Sequence, residues 1–239
     1  MLSGTSLIIL NYTRYSDSSI IVNALSEQFG RISFLVYGIG SKHRGKLSAF
    51  QPLYLLNVQL YYKSNRGIQK LKEHKIDPPL HNLTSDIRKS TLALFISELL
   101  AKTIKEEFAD KSLFAFLKTS ILFLNELEHS LSIFHLVFLL KLSRYLGFAP
   151  EPDSSNSRYY DYKEGVAVNS KPYHQHYLNQ TDFITCITLM SANFNELDKI
   201  KIEIKQRNFL LEALISIYEI HILNFNSLKS YSVLREVFS

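Results

Sequence analysis

The sequence predicts an α+β protein in which a small five-stranded β-barrel precedes an all-helical domain. Residues 1–78 contain short β-rich runs separated by turns. Residues 79–239 contain apolar residues at helical spacing. Between them stand Pro78 and Pro79, neither of which can continue a ladder or a helix interior. We therefore expect a barrel over residues 1–78 and a helical domain over residues 79–239, with an irregular insertion at about 148–178.

Five runs in the first region have the composition of β-strands. The clearest is 30–37, where Ile32, Phe34 and Val36 alternate with the side chains of the opposite face. The expected strands are 6–12, 18–25, 30–37, 52–62 and 67–75. Short turns join most of them, and a Gly-rich loop at 38–45 joins the third to the fourth. Five strands in this order suggest an OB-fold, a small barrel that binds single-stranded nucleic acid.

The positive charge of the chain is concentrated in this predicted barrel. The net charge of the whole chain is +5, yet residues 1–78 hold ten Lys or Arg against four Asp or Glu. No acidic residue stands between Glu27 and Glu73. Cations interleaved with aromatic side chains suit a surface that neutralises phosphates and stacks bases. We predict that nucleic acid contacts Arg14, Arg31, Lys42, Arg44, Lys46, Lys63, Arg66, Lys70 and Lys72.

The loop that contains Lys42, Arg44 and Lys46 is the strongest local indication of contact with a polyanion. Its glycines allow close approach of a polyanion, but it is not a P-loop, because Leu47 follows Lys46 where that motif has Ser or Thr. Considered by itself, the loop is better interpreted as a solvated basic turn. When its acid-free flanking segments are included, nucleic-acid contact becomes the favoured interpretation.

Aromatic residues of the barrel can fill the interior or stack on bases. We expect Phe34 and Tyr54 in the core. We expect most of a second set to be structural as well, namely Tyr12, Tyr15, Tyr37, Tyr61 and Tyr62.

The second region has the apolar period of helices. Residues 84–86 offer N-cap side chains, and the following segment places Leu92, Phe95, Ile96, Leu99, Leu100 and Thr103 at helical spacing. Further helices are expected at 112–127, 133–146, about 195–205, 209–225 and 227–238. The stretch 147–177 is irregular, with a small hairpin or turn at 161–168.

Several function classes lack support in the sequence. The single cysteine, Cys186, excludes an intramolecular disulfide and a zinc site built on several cysteines, and we interpret it as a small buried hydrophobe. His174 and His176 form a weak metal pattern, and we expect them to face solvent. Hydrolase and dinucleotide motifs are missing, so we expect neither an enzyme nor a cofactor. With no signal-peptide pattern or membrane-spanning run, a cytoplasmic location is expected.

With these elements placed, the sequence resembles the RecO family of bacterial recombination mediators over nearly its whole length. The resemblance rests on 15–21, 30–38 and 50–53 in the barrel. It continues through 88–90, 95–100, 113–114 and 145–150 in the helical region, and through Tyr218, His221, 228–230 and 233–234 at the end. The enrichment in Lys, Asn, Tyr and Phe is similar to that of the Bacteroidetes members.

The resemblance implies an N-terminal OB-fold that binds single- and double-stranded DNA and anneals complementary strands. It also implies help in loading the RecA recombinase onto DNA coated by single-stranded DNA-binding protein (SSB). The implied partners are RecR and the acidic C-terminal tail of SSB, and the implied location is bacterial, with nucleoid association during repair. Lys89, Lys141 and Arg144 could extend the DNA path or meet that tail, or be ordinary solvated helix charges.

One departure from the family concerns zinc. Many relatives carry four cysteines in the insertion, where 157–168 of this chain has none, so no metal is expected. Packing through Tyr159, Tyr160, Tyr162 and Val166 is expected to hold this segment instead.

Two other functions stay open at the sequence level. An OB-fold module for RNA or ribosomes would use the same basic barrel without annealing. A nuclease would need clustered carboxylates for Mg²⁺, which an acid-poor barrel does not supply.

Overall fold

The computed structural model describes residues 1–39, 47–105, 108–151 and 157–238. Contacts divide the chain into two compact units, Met1–Glu126 with Leu228–Leu234, and Leu127–Ser227 with the chain from Arg235 onward. This division does not test where an independently folding barrel would end, so the boundary at residue 78 stays a prediction. Among the described helices, none combines the length and apolarity that a membrane crossing needs.

Five strands of the first unit form the closed barrel that the sequence predicts. They are β1 (Leu2–Ser16), β2 (Ser19–Ser26), β3 (Gly30–Tyr37), β4 (Leu55–Tyr61) and β5 (Ile68–Ile76). Their order around the barrel is β1-β2-β3-β5-β4. Strands β3 and β5 are parallel, and the other four pairs are antiparallel. This is a five-stranded Greek-key barrel of the OB type.

Strand β1 closes the barrel because it pairs along both of its edges. Its first half pairs with β4 from Leu2 to Ile8, and its second half pairs with β2 from Leu7 to Ser16. The register shifts between Ile9 and Asn11, where the strand passes from one partner to the other. A bulge of this kind increases the local bend and twist that closure requires.

The barrel interior is filled by inward side chains at alternating positions, as the period of two requires. In β3, Ile32, Phe34 and Val36 are buried while the intervening residues are partly exposed. Phe34 is fully buried, as expected, and its ring lies 6.2 Å from that of Phe50 on a short 3-10 helix (Ser48–Phe50). Tyr54 packs against this core while remaining partly exposed.

Three helices follow the barrel within the first unit: α1 (His81–Ser85), α2 (Ile87–Thr103) and α3 (Lys111–Glu126). The predicted N-cap is confirmed, since the Asp86 carboxylate accepts a hydrogen bond from the Arg88 backbone N–H at 2.8 Å. The apolar residues that predicted α2 are buried.

The start of the last helix, α7 (Ser230–Phe238), is capped from α2. The Glu98 carboxylate accepts hydrogen bonds from the backbone N–H groups of Lys229 and Ser230 and from the Ser230 hydroxyl, at 2.6–3.0 Å. Burial alone would raise the pKa of Glu98, but the hydrogen bonds from Ser230 and Lys229 outweigh it, and the pKa lies below its usual value.

The second unit is built around α4 (Leu131–Tyr145), which is apolar on most of its circumference and almost wholly buried. Helices α5 (Gln180–Ser191) and α6 (Ile204–His221) pack against it. The buried hydroxyl of Tyr218 on α6 donates to the Leu139 carbonyl at 2.8 Å. Helix-on-helix burial of this kind supplies the core of the unit.

In the second unit, one expected helix was wrong and one helix was not predicted. Most of the stretch 195–205 is a 3-10 helix (Phe194–Lys199) and irregular chain, and α6 begins only at Ile204. Leu197 is the single buried residue of the 3-10 helix, so no apolar stripe supports a longer one. Helix α5 was missed, although its buried apolar residues, Phe183, Cys186, Leu189 and Met190, stand at helical spacing. Cys186 is buried, as expected, and burial raises the pKa of its thiol to about 12.

The insertion contains a small sheet of three strands, β6 (Tyr159–Asp161), β7 (Val166–Val168) and β8 (Tyr177–Asn179), in the order β7-β6-β8. Strands β6 and β7 form the hairpin expected at 161–168. Their turn begins with an Asx turn, since Asp161 Oδ1 accepts from the backbone N–H groups of Lys163 and Glu164.

A buried histidine makes the stability of the protein depend on pH. His135 lies on α4 with its Nδ1 at 3.4 Å from the Leu131 carbonyl and its ring at 5.6 Å from Phe238. Burial lowers the pKa of His135 to about 4. The pKa of a histidine in an unfolded chain is about 6.5. Between this pH and about 4, the unfolded chain therefore binds a proton that the folded chain does not, and the folded state loses stability as the pH falls.

We expect His135→Leu to flatten the pH profile of stability. As the pH falls from about 7 to about 4, the unaltered chain should lose about 3 kcal/mol more unfolding free energy than the variant, which has no such group to titrate. Urea unfolding at a series of pH values measures both profiles. Parallel profiles would show that His135 is not held neutral in the fold.

Candidate nucleic-acid interface

The predicted DNA-contacting cations divide into three groups. Lys42, Arg44 and Lys46 lie outside the described residues. Arg31 is half-buried. The exposed group consists of Arg14, Lys63, Arg66, Lys70 and Lys72.

One end of the barrel carries the β1–β2 turn with exposed aromatic side chains. Tyr15 and Tyr37 are 65% and 63% exposed, and the register pairs Ser19 with both Ser16 and Tyr37 across neighbouring strands. The Ile39 backbone N–H donates to the Ser18 carbonyl at 2.9 Å, which holds the chain after β3 beside this turn. The basic segment 40–46 begins directly after this point in the sequence.

Most of the five tyrosines were expected to be structural, and this expectation was wrong for four of them. Tyr12, Tyr15, Tyr37 and Tyr61 are 39–65% exposed, and only Tyr62 packs, in a stack with Phe29. Tyr37 and Tyr61 are exposed because successive side chains of a strand point to opposite faces. Each follows an inward-facing residue and therefore points outward.

The other end of the barrel carries the β4–β5 turn, which a buried amide holds in place. The Gln69 side chain is 4% exposed. Its Oε1 accepts from the Lys63 backbone N–H at 2.9 Å, while its Nε2 donates to the carbonyls of Lys63 at 3.0 Å and Arg66 at 2.6 Å. The turn is thereby preorganised, with the side chains of Lys63 and Arg66 exposed to solvent.

Arg31 has a structural partner within the first unit. One of its terminal nitrogens donates to the carbonyls of Ala101 at 2.7 Å and Ile104 at 2.9 Å, at the C-terminal end of α2. Burial lowers the pKa of this guanidinium below its usual value. A cation at a helix C-terminus also meets the negative end of the helix dipole. Arg31 therefore fastens α2 to the barrel, and its contact with DNA stays a prediction.

Charge on the exposed face of β5 is only slightly offset by acids. Lys70 and Lys72 are exposed, and Glu73 pairs with Lys72 at 3.6 Å. Both partners of this pair are largely exposed, so the interaction is weak and easily exchanged for a phosphate.

The three helical candidates differ in accessibility. Lys89 is 5% exposed, and its ammonium donates to the Asn125 carbonyl at 2.6 Å. Lys141 is half-buried and donates to the Met190 carbonyl at 3.0 Å, and burial lowers its pKa. Arg144 is exposed at the end of α4. Only Arg144 of these three offers its charge to solvent in this conformation.

The insertion is held by aromatic packing and by histidine contacts. Tyr160 is buried in a stack with Phe183, with ring centroids 4.7 Å apart, and Tyr162 is also buried, so the packing expected of them is confirmed. Tyr159 meets Tyr177 edge to face. Val166 is exposed, and the contribution expected from it was wrong.

The histidines of the insertion are half-buried rather than solvent-facing, because each has a partner. His174 Nε2 lies 3.1 Å from the Asp161 carboxylate, and its Nδ1 accepts from the His176 backbone N–H at 3.2 Å. His176 Nδ1 lies 3.4 Å from the Ser216 hydroxyl. Within the described residues, no group of three or more His, Cys, Asp or Glu could hold a metal ion. The side chains present here do not fit a zinc site.

Comparison with known proteins covers nearly the whole chain. A family model described as recombination protein O N terminal matches residues 1–78, and one described as recombination protein O C terminal matches residues 84–231. Proteins named DNA repair protein RecO are 35% identical in Bacteroides fragilis and 33% identical in Azobacteroides pseudotrichonymphae, over 100% of both chains. The protein of that name in Flavobacterium psychrophilum is 31% identical over 98% of both chains.

We expect Arg31→Met to destabilise the first unit by about 2 kcal/mol, because two charge-assisted hydrogen bonds are lost while the apolar stem is kept. The matched variant Arg66→Met removes an exposed cation of the same barrel and should change stability by less than about 0.5 kcal/mol. Chemical unfolding measures both, and equal stability of the two variants would contradict the structural role of Arg31.

Proposed function

Because this chain belongs to the RecO family of DNA repair proteins, we propose that its barrel binds DNA and brings complementary single strands together in recombinational repair. The observation that carries the proposal is the set of exposed cations at both ends of an acid-poor barrel. No reaction step is assigned to the protein, since binding alone accounts for this activity.

Charge neutralisation supplies the affinity in this proposal. Each Lys or Arg that meets a phosphate releases condensed counterions, so binding weakens steeply as salt rises. Arg14 serves the β1–β2 end, while Lys63 and Arg66 serve the β4–β5 end, and Lys70 and Lys72 lie on the strand that follows. The proposed contact surface also includes Lys42, Arg44 and Lys46, on the grounds of sequence alone.

Annealing follows from the same charge. Two strands that approach one another repel through their phosphates, and a cationic surface that holds both lowers this repulsion. The exposed Tyr15 and Tyr37 offer aromatic faces on which unpaired bases can stack before they find their complement.

The partners in this proposal come from the family. They are RecR, single- and double-stranded DNA, and SSB, whose acidic C-terminal tail would require a cationic, partly apolar site. Together with these partners, the protein would help to load the RecA recombinase onto SSB-coated DNA. Arg144 is a candidate contact for the tail because its charge is exposed, whereas the buried ammonium of Lys89 is excluded from the set.

Annealing of two complementary oligonucleotides coated with SSB from the same organism tests the function. We expect the protein to accelerate annealing at low salt and to lose this effect as salt rises. If the protein binds DNA but leaves the annealing rate unchanged at low and at high salt, the mediator role is contradicted. Tighter binding of RNA than of single-stranded DNA would favour the RNA-binding alternative instead.

Reversal of the loop charges tests the proposed surface. The triple variant Lys42→Glu, Arg44→Glu and Lys46→Glu should lower DNA affinity by at least about tenfold and flatten its salt dependence, because up to three phosphate contacts are lost. Anisotropy titrations of a labelled oligonucleotide at several salt concentrations measure both quantities. A folded variant with unchanged affinity would remove this loop from the contact surface.

A further inference from the structure

A cleft beside the β4–β5 turn has the chemistry of a nucleotide site. It encloses about 460 Å³, within the range of about 300–1,000 Å³ that is typical of small-ligand pockets. Its walls come from the β4–β5 turn, the start of β3 and the chain after α2, all in the first unit. The side chains that matter here are Phe29, Tyr62, Ser64, Asn65, Arg66 and Lys105.

One wall of the cleft is aromatic. The rings of Phe29 and Tyr62 stack with centroids 3.9 Å apart and an interplanar angle of 13°. Both are only partly buried against the barrel core, so aromatic surface remains at the cleft. Stacking of a base on such a surface is worth about 1–3 kcal/mol and tolerates any base.

The rest of the side chains that matter here are polar or cationic. Arg66 and Lys105 bring positive charge to the cleft, and Ser64 and Asn65 add a hydroxyl and an amide. The guanidinium of Arg66 can make a bidentate hydrogen bond to phosphate. A phosphate at these cations and a base against the aromatic rings correspond to the two halves of one nucleotide.

Two contacts hold the cleft in shape without a ligand. The Gln69 amide bonds the backbone of Lys63 and Arg66, which fixes the turn. The Arg31 guanidinium bonds the carbonyls of Ala101 and Ile104, which fixes the chain immediately before Lys105. A preformed site loses less conformational entropy on binding, so more of its contact energy appears as affinity.

We propose that this cleft takes one unpaired nucleotide of single-stranded DNA, with its phosphate at Arg66 and Lys105 and its base against Phe29 and Tyr62. The inference rests on the proposed function and deepens it. A base within a duplex is stacked and paired and would have to leave the helix to enter, which costs a few kcal/mol. The cleft therefore favours single strands, while the exposed cations elsewhere on the barrel serve both DNA forms.

Three variants of the full chain distinguish binding of a nucleotide in the cleft from general attraction of DNA to the cations of the barrel. Arg66→Ala removes one of the two proposed phosphate contacts and leaves Lys105 in place. Lys75→Ala removes one exposed cation from β5 of the same barrel, outside the cleft. Gly67→Leu keeps every charge and adds bulk at the cleft, where a Cβ on Gly67 meets no atom within 4 Å, so the fold has room for the side chain.

Affinities are measured for a 20-nucleotide oligothymidylate and for a duplex of about the same length, at one salt concentration. Arg66→Ala and Gly67→Leu should each lower affinity for oligothymidylate by about tenfold, as expected for loss of one bound nucleotide. Lys75→Ala should lower it by less than about threefold. Duplex affinity should change by less than about threefold in all three variants.

Equal losses for Arg66→Ala and Lys75→Ala, with no effect of Gly67→Leu, would overturn the cleft and leave the proposed function standing. Failure of the unaltered chain to bind either DNA would contradict the proposed function, and the inference with it.

Photocross-linking gives an independent readout that does not depend on a variant. An oligonucleotide that carries 5-iodouracil is irradiated with the unaltered protein, and the modified peptides are identified by mass spectrometry. Cross-links at Phe29 or Tyr62 are expected. Cross-links confined to other residues would place the unpaired base elsewhere and overturn the inference.

Discussion

Closure of the barrel by strand β1 is the constraint on which the candidate interface depends. Leu7 and Ile8 pair with β2 along one edge and with β4 along the other, so the sheet has no free edge at this point. The closed barrel fixes the β1–β2 and β4–β5 turns at opposite ends of its strands, and the interior takes up the apolar side chains. Outward positions are then free for cations and tyrosines, whose charge and aromatic surface can act on a polyanion.

The hydrogen bonds of the Lys and Arg side chains determine which of these cations are available to bind DNA. The charged ends of Arg31, Lys89 and Lys141 donate to backbone carbonyls and stabilise the fold, whereas Arg66 and its neighbours on the β4–β5 turn are exposed. A sequence shows that a residue is charged but not whether a carbonyl lies within its reach. The candidate set could therefore be proposed from charge, but its division into structural and exposed members needed the structure.

The strands, α2 and its Asp86 cap were predictable because alternation, helical spacing and capping are local properties of the sequence. The helix around Cys186 was predictable in principle from its buried positions, but a short apolar run also fits a strand. The partners of His174 were beyond sequence reasoning, since Asp161 is distant along the chain. The bracing of the β4–β5 turn by Gln69 likewise depends on the path of the backbone, which composition does not reveal.

Hydrogen exchange of the full chain with and without a single-stranded oligonucleotide tests whether DNA binds the barrel, because it locates the DNA without any substitution. We expect slowed exchange of backbone amides at the β1–β2 turn and at the β4–β5 turn within residues 1–78, with little change along α4 and α6. Protection confined to the second unit, with the barrel unchanged, would contradict the assignment of DNA binding to the barrel.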